Sequence, residues 1–223
     1  MLDFVLNFLF PPVCGICGKL DKNWICTKCK KRIEKYERFE VVKTPKMIGE
    51  FFRFLEDDIY FDELLYCFEY KNLIRKLILK YKFYDYGYLS NLFANVILNN
   101  KKINEIIKSY DIMIPVPMSK NKKRIRGYNQ TELIVKHFEE YIQINSTCLI
   151  KVKNTKTQST LVATERVENI KNAFKIIDNN IVENKNVILF DDIITTGVTV
   201  NEISKILKKA GAKKVLVLII AKD

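Results

Sequence analysis

Leu2, Val5, Leu6, Leu9 and Phe10 recur at helical spacing, which predicts a short docking helix ended by Pro11 and Pro12. The highly charged run from Lys30 to Glu40 carries Ile33, Tyr36 and Phe39 at three-residue intervals, a pattern that suits a helix on a surface. Periodicity is interrupted over residues 42–50, at Pro45 and Gly49, and this divides the chain into a small unit over 1–45 and a larger one over 46–223. In the larger unit, Leu64 to Tyr70 is apolar and aromatic, as a buried strand is, and Leu73, Ile74, Leu77, Ile78 and Tyr81 share one helical face. A further helix is expected over Leu89 to Ile107. Strand and helix then alternate. Strands are predicted at Asp111–Val116, Cys148–Val152, Asn186–Phe190 and Val215–Ala221. Helices are predicted at Asn129–Ile142 (Leu133, Ile134, Phe138 and Tyr141 inward), Leu161–Asn172 and Thr199–Lys209 (Ile203, Ile206 and Leu207 inward, closed by Gly211). Such alternation means an α/β fold with a parallel sheet covered on both faces.

Composition narrows the class. The 223 residues are 48% hydrophobic and 29% charged with seven Gly and five Pro, which excludes collagen-like and disordered chains. The formal charge of +12 favours acidic partners, nucleic acid or phosphorylated metabolites, although Lys, Ile and Asn are plentiful throughout. No window approaches the ~20 apolar residues needed to cross a bilayer, so no membrane insertion is expected. The N-terminus has neither the basic start nor the small-residue cleavage site of an export signal. A cytoplasmic location follows as the expectation, and there thiols stay reduced.

The densest chemistry lies between the last two predicted strands, in Asn186-Val-Ile-Leu-Phe190-Asp191-Asp192-Ile-Ile-Thr195-Thr196-Gly197-Val-Thr199. Ligands of open α/β sheets bind beyond the carboxyl ends of strands. Gly197 permits a tight turn with converging N–H groups, Thr195, Thr196 and Thr199 add hydroxyl donors, and a helix N-terminus follows, which together suit a phosphate monoester. Asp191 and Asp192 cannot favour phosphate by charge. They suit sugar hydroxyls or a hydrated divalent cation, and the sum is a sugar phosphate.

This run resembles the phosphoribosyl pyrophosphate (PRPP) motif of type I phosphoribosyltransferases. The chain is more narrowly similar to the ComF family of competence-associated proteins. That likeness rests on Ile114-Pro115-Val116-Pro117, Arg126-Gly127-Tyr128-Asn129-Gln130, Thr157-Gln158 and Glu165-Arg166-Val167-Glu168-Asn169, in order before the PRPP motif and over roughly residues 60–223. It implies a type I phosphoribosyltransferase fold. It further implies that Asp191 and Asp192 contact the ribose 2′- and 3′-hydroxyls, that Thr195, Thr196, Gly197 and Thr199 hold the 5′-phosphate, and that Pro115 to Ser119, with Pro117, lies against the pyrophosphate. Lys120, Lys122, Lys123, Arg124 and Arg126 adjoin that loop. Arg126 is the selected phosphate ligand, since its planar fork suits phosphate oxygens. Residues 153–169 correspond to the mobile loop of active relatives, with Gln158, Arg166 and Asn169 as contributors, and Mg²⁺ is expected to accompany PRPP. Purine-using relatives often carry Asp where this chain has Thr195, so ordinary purine salvage is disfavoured and no general base stands out.

Cys14-Gly-Ile-Cys17 and Cys26-Thr-Lys-Cys29 are paired knuckles able to bring four thiolates to one structural Zn²⁺. Trp24 is expected to pack over them, Cys67 and Cys148 to be core residues, and His137 to lie on a polar helix face. The ComF likeness implies a protein that assists single-stranded DNA uptake in natural transformation, with a competence helicase as a possible partner. Surplus charge suits strand phosphates, and Tyr84, Tyr86, Tyr88 and Tyr128 are alternatively base-stacking or packing residues. The rival expectation is a catalytically active phosphoribosyltransferase with a nucleobase or amine acceptor.

Overall fold

A computed structural model of the chain describes residues 13–21, 25–43, 59–83, 86–153 and 169–223. The predicted helix at 2–10, Trp24, Pro45, Gly49, Tyr84, Gln158, Arg166 and most of the 153–169 segment lie outside the described residues.

Six strands form the main sheet: β1 (Glu37–Val42), β2 (Glu63–Glu69), β3 (Ile112–Pro115), β4 (Gln143–Ile144), β7 (Asn186–Ile194) and β8 (Lys214–Lys222). Their order is β1-β2-β8-β7-β3-β4, and every neighbouring pair is parallel except β1 with β2. Alternation along the central strands divides the core. Val187 and Leu189 face one side with Val215, Val217 and Ile219, whereas Ile188 and Phe190 face the other with Leu216, Leu218 and Ile220. Burial on both faces explains why these strands carry continuous apolar runs.

The first face is covered by α7 (Val198–Lys209) through Ile203 and Leu207, and by a small antiparallel ribbon of β5 (Leu149–Lys151) with β6 (Phe174–Ile176). The second is covered by α2 (Asn72–Phe83), α3 (Leu89–Leu98), α4 (Lys101–Lys108) and α6 (Gln130–Val135), through Ile74, Leu77, Tyr81, Phe93, Ile107 and Ile134. Cys67 and Cys148 are core residues, and the exposed His137 shares a 3.1 Å hydrogen bond between its Nε2 and Ser90 Oγ.

Four expectations need correction. The run from Lys30 to Glu40 is not one helix. α1 (Thr27–Glu34) buries Cys29 and Ile33, and the chain then becomes β1, with a bulge between Glu37 and Glu40 and Phe39 at φ 39°. A three-residue spacing spanned two elements there. The single helix over Leu89 to Ile107 is two, because the Asn100 side chain accepts a 3.2 Å hydrogen bond from Ile103 N and starts α4 afresh. The helix expected to reach Ile142 stops as α6 at Val135, runs through a 3₁₀ turn at Lys136–Phe138 and passes into the short β4, with Leu133 and Tyr141 only half-buried. The strand at 148–152 belongs to the separate β5–β6 ribbon rather than to the parallel sheet. The basic neighbours after β3 form a helix, α5 (Lys120–Arg126), opened by Ser119 and closed by Gly127 at φ 80°.

Removing the cap at Asn100→Ala should lower stability by roughly 0.5–2 kcal/mol. A shift in urea midpoint at unchanged m-value measures it.

Candidate functional site

The connections that leave β3 and β7 diverge. β3 runs through α5 and then α6, which packs on one face, to β4 at the sheet edge, while β7 runs through α7 on the other face to β8. Their adjacent carboxyl ends therefore open a crevice that no crossover fills, the usual ligand position in an open α/β sheet. Pro115 lies in register with Phe190, and Val116 N donates to Phe190 O at 2.9 Å, so the loop after β3 lies beside Asp191.

A cavity of about 630 Å³ occupies this crevice. Asp191, Asp192, Thr195, Pro117 and Arg126 line it, which brings together five of the predicted ligand residues from three segments. Thr196, Gly197 and Thr199 follow in the turn and the first turn of α7; they adjoin Thr195 but are not among the lining residues. Gly197 has φ 74°, a left-handed conformation that a Cβ would strain. Lys122 lines the cavity, whereas Lys120, Lys123 and Arg124 are exposed and do not, and Lys123 pairs with Glu132 at 2.7 Å.

The cleft also contains side chains that no motif announces. Lys82, in the last turn of α2, places Nζ 2.8 Å from Asp192 Oδ1. Arg75 and Lys151 supply further cations, from α2 and from the end of the ribbon strand β5. Arg126 lies over the Phe83 ring at 4.8 Å and donates to Gln130 Oε1 at 3.1 Å. Gln130 is 1% exposed, and its Nε2 has no hydrogen-bond partner among the described residues. Beneath it, Asn129 Nδ2 and Thr131 Oγ1 both donate to Val116 O, at 3.2 and 2.9 Å, and pin α6 to the loop after β3. Lys82 sits in an ordinary amphipathic helix, so its sequence neighbourhood gives no sign of the pairing. Gln130 was visible in the Arg126–Gln130 motif, without a role.

Electrostatics are strained in the cleft. Burial and the neighbouring Asp192 carboxylate push Asp191 up to about 7, although Lys82 opposes the shift. Asp192 N donates to Asp191 Oδ1 at 2.8 Å. Burial and the charge of Lys122 bring Lys151 down to about 8, while burial, Arg126 and Lys82 lower Lys122. The cations lower one another's proton affinity because they share one concavity.

Beside the same last turn of α2, the four cysteine sulfurs lie within 4.8 Å of one another, and Cys17 and Cys26 approach to 3.8 Å. Tetrahedral zinc with Zn–S of about 2.3 Å needs sulfurs about 3.8 Å apart, so the set fits one structural ion. Burial opposes ionisation of Cys14, but the N–H groups of Cys17, Cys26 and Ile16 outweigh it and bring the thiol down to about 6; burial and the neighbouring thiols push Cys29 up to about 12. The knuckle docks on the larger unit. Lys80 Nζ donates to Gly15 O at 2.8 Å, and a Cβ on Gly15 would meet Tyr88 Oη at 2.6 Å. Tyr86 and Tyr88 pack together at 5.3 Å between ring centroids, and Tyr128 packs against Tyr81 at 6.3 Å and donates to Tyr81 O, so these tyrosines serve packing.

Residues 132–223 match the phosphoribosyl transferase domain model. With the parallel sheet and the cleft at β3 and β7, this sets the larger unit in the phosphoribosyltransferase class of folds. Competence protein F of Haemophilus influenzae is 30% identical over 207 residues, covering 88% of this chain and 89% of that protein. Competence protein ComFC of Streptococcus pneumoniae is 30% identical over 149 residues, 66% of this chain and 63% of that protein. DNA utilization protein YhgH of Escherichia coli is 33% identical over 109 residues, about half of each chain (48% and 47%). The chain belongs to the ComF family of competence proteins. No helix among the described residues is long and apolar enough to cross a membrane.

The raised Asp191 has a consequence for stability. The unfolded chain loses this proton near pH 4 and the folded chain near pH 7, so the contribution to stability falls as pH rises between those values. Asp191→Asn should therefore melt above the wild type at pH 8, with the difference shrinking toward pH 4, in thermal melts across that range.

Proposed function

We propose that the chain is a cytoplasmic, PRPP-binding ComF protein that handles single-stranded DNA during uptake in natural transformation. The observation that carries the ligand half is the pairing of an acidic diad with a cationic wall in one crevice at the divergence of β3 and β7. In this reading, Asp191 and Asp192 take the ribose hydroxyls, and Thr195, Thr196, Gly197 and Thr199 take the 5′-phosphate. Lys122, Arg126, Lys151 and the unpartnered Gln130 Nε2 then receive the pyrophosphate at the mouth of the loop that carries Pro117. Gln158 and Arg166 are proposed to approach from the 153–169 segment. Mg²⁺, when present, would come coordinated by the phosphate oxygens of the ligand itself.

For the DNA half, the support is family membership and two basic helices. Lys28, Lys30, Lys31 and Arg32 are exposed on α1, opposite the buried Cys29 and Ile33, and Lys120, Lys123 and Arg124 are exposed on α5. We assign residues 1–45 to a zinc-stabilised module and 46–223 to the ligand-binding unit, the first lending β1 to the sheet of the second. A helicase is the partner class suggested by the competence role.

One observation favours the enzyme reading as an alternative. A carboxyl group raised to about 7 suits general-base work on an incoming acceptor, and Asp191 has that property although Thr195 does not. Release of pyrophosphate from PRPP only when a nucleobase or amine is present would support it.

Calorimetric titration with PRPP should give saturable binding to the wild type and none to Asp191→Asn/Asp192→Asn. Arg126→Ala should lose roughly 1.5–3 kcal/mol, a tenfold to hundredfold weakening. A wild type that gives no heat with PRPP at any metal concentration refutes the ligand reading. Affinity for a single-stranded oligonucleotide should fall with salt, log K declining by about 0.7 per phosphate contact for each decade. Binding that ignores salt, or no binding at low ionic strength, removes the DNA half.

A further inference from the structure

We infer that Lys82 is the resident cation of the acidic pair: its ammonium stands on Asp192 where a divalent ion would otherwise be held, so the cleft takes a pentose pyrophosphate without requiring metal there. This rests on the PRPP reading and concerns how the same site selects its ligand.

The contact is close and sheltered. Nζ lies 2.8 Å from Asp192 Oδ1, with the Lys82 side chain 18% exposed and the Asp192 side chain 12%. The lysine is also held in place. Ile78 and Tyr81 fix the preceding turn of α2 in the core at 0% exposure, and Tyr81 Oη donates to Gln130 O at 2.7 Å. Lys80 ties the same turn to the cysteine knuckle through Gly15 O. An ammonium at that site is a fixture of the helix rather than a surface side chain that happens to swing inward.

A divalent ion is disfavoured at this carboxylate for two reasons. Mg²⁺ requires near-octahedral oxygens at about 2.1 Å, and bound to the same oxygen it would lie within about 5 Å of the ammonium. The remainder of the lining adds repulsion. Among the described residues, Arg75, Lys122, Arg126 and Lys151 share the cavity with three acidic residues, Asp191, Asp192 and Asp223. A ribose hydroxyl suffers neither penalty, since it is neutral and needs only an acceptor oxygen. The pyrophosphate meets cations already in place. Sugar hydroxyls and phosphates are therefore accepted together, while the hydrated metal ion alone is refused.

The test uses the zinc-loaded full chain in metal-depleted buffer without chelator, so that the cysteine site keeps its ion. Manganese binding is followed by electron paramagnetic resonance in the absence of PRPP. Wild type should bind no Mn²⁺ at the cleft, Lys82→Met should bind one equivalent, and adding Asp192→Asn should abolish it. PRPP calorimetry forms the second arm. Wild-type affinity should change by less than about threefold when Mg²⁺ is added, whereas Lys82→Met should need Mg²⁺ for a gain of roughly tenfold or more, about the strength of one charge-assisted contact. Lys82→Arg, which keeps the charge, should behave as wild type, and thermal melts confirm that each variant is folded. Mn²⁺ binding by the wild type equal to that of Lys82→Met, or a wild type that binds PRPP only with Mg²⁺, overturns the inference and leaves the PRPP reading standing. Absence of PRPP binding by every form overturns that reading instead, and the manganese arm still judges Lys82.

Discussion

The molecule depends on one topological constraint: two neighbouring parallel strands send their chains to opposite faces of the sheet. α6 must pack over Ile188 and Phe190, and α7 over Val187 and Leu189. The carboxyl ends of β3 and β7 are consequently left without a covering crossover. Backbone groups there still need partners, and Val116 O finds them in Asn129 and Thr131. The loop after β3 is thus tied to α6, and the crevice beside it opens at no cost to the core. Tyr70, Asp223 and Thr195 lie beyond the ends of β2, β8 and β7, which extends the same lining across four strands.

Charge gives that crevice its chemistry. An acidic pair alone would attract metal, and a cationic wall alone would attract any polyanion. Set side by side, they put hydrogen-bond acceptors and anion-binding cations into one cavity. Burial and like charges perturb the groups so assembled: Asp191 is pushed up to about 7 and Lys151 down to about 8. Such shifts cluster where a site is built for binding rather than for stability. Lys82 relieves part of the acidic repulsion and in doing so occupies the carboxylate.

α2 connects this cleft to the cysteine module. Its final turn bonds Gly15 through Lys80 and Asp192 through Lys82, two residues apart. A segment of that size builds little core of its own; its four thiols are placed to hold one metal ion, and it leans on α2 through Gly15. The larger unit gains an edge strand in return, because β1 follows α1 directly and pairs with β2. The basic residues of α1 are thereby joined through β1 to the sheet that carries the cleft.

The central strands, the helix after Gly197 and the four clustered thiols could be read along the chain, because their signals are local: continuous apolar runs, a glycine turn, and cysteine pairs three positions apart. The acidic pair was legible for the same reason, and the motifs from Ile114 to Gln130 carried the family. Where signals from two elements overlapped, as at Ile33, Tyr36 and Phe39, or where an interior asparagine became a cap, as at Asn100, local spacing misled. Cys148 to Val152 has the pattern of a strand, but only long-range pairing with Phe174–Ile176 decides which sheet it joins. Lys82 and Lys151 are indistinguishable in sequence from the many other lysines of this chain. Their roles come from strand order and helix docking, which bring residues more than a hundred positions apart, Lys82 and Asp192, within hydrogen-bonding distance. What each polar group can do chemically is a property of its own side chain and is legible residue by residue. Which charges share a cavity depends on contacts with no local signature, and only the folded chain settles it.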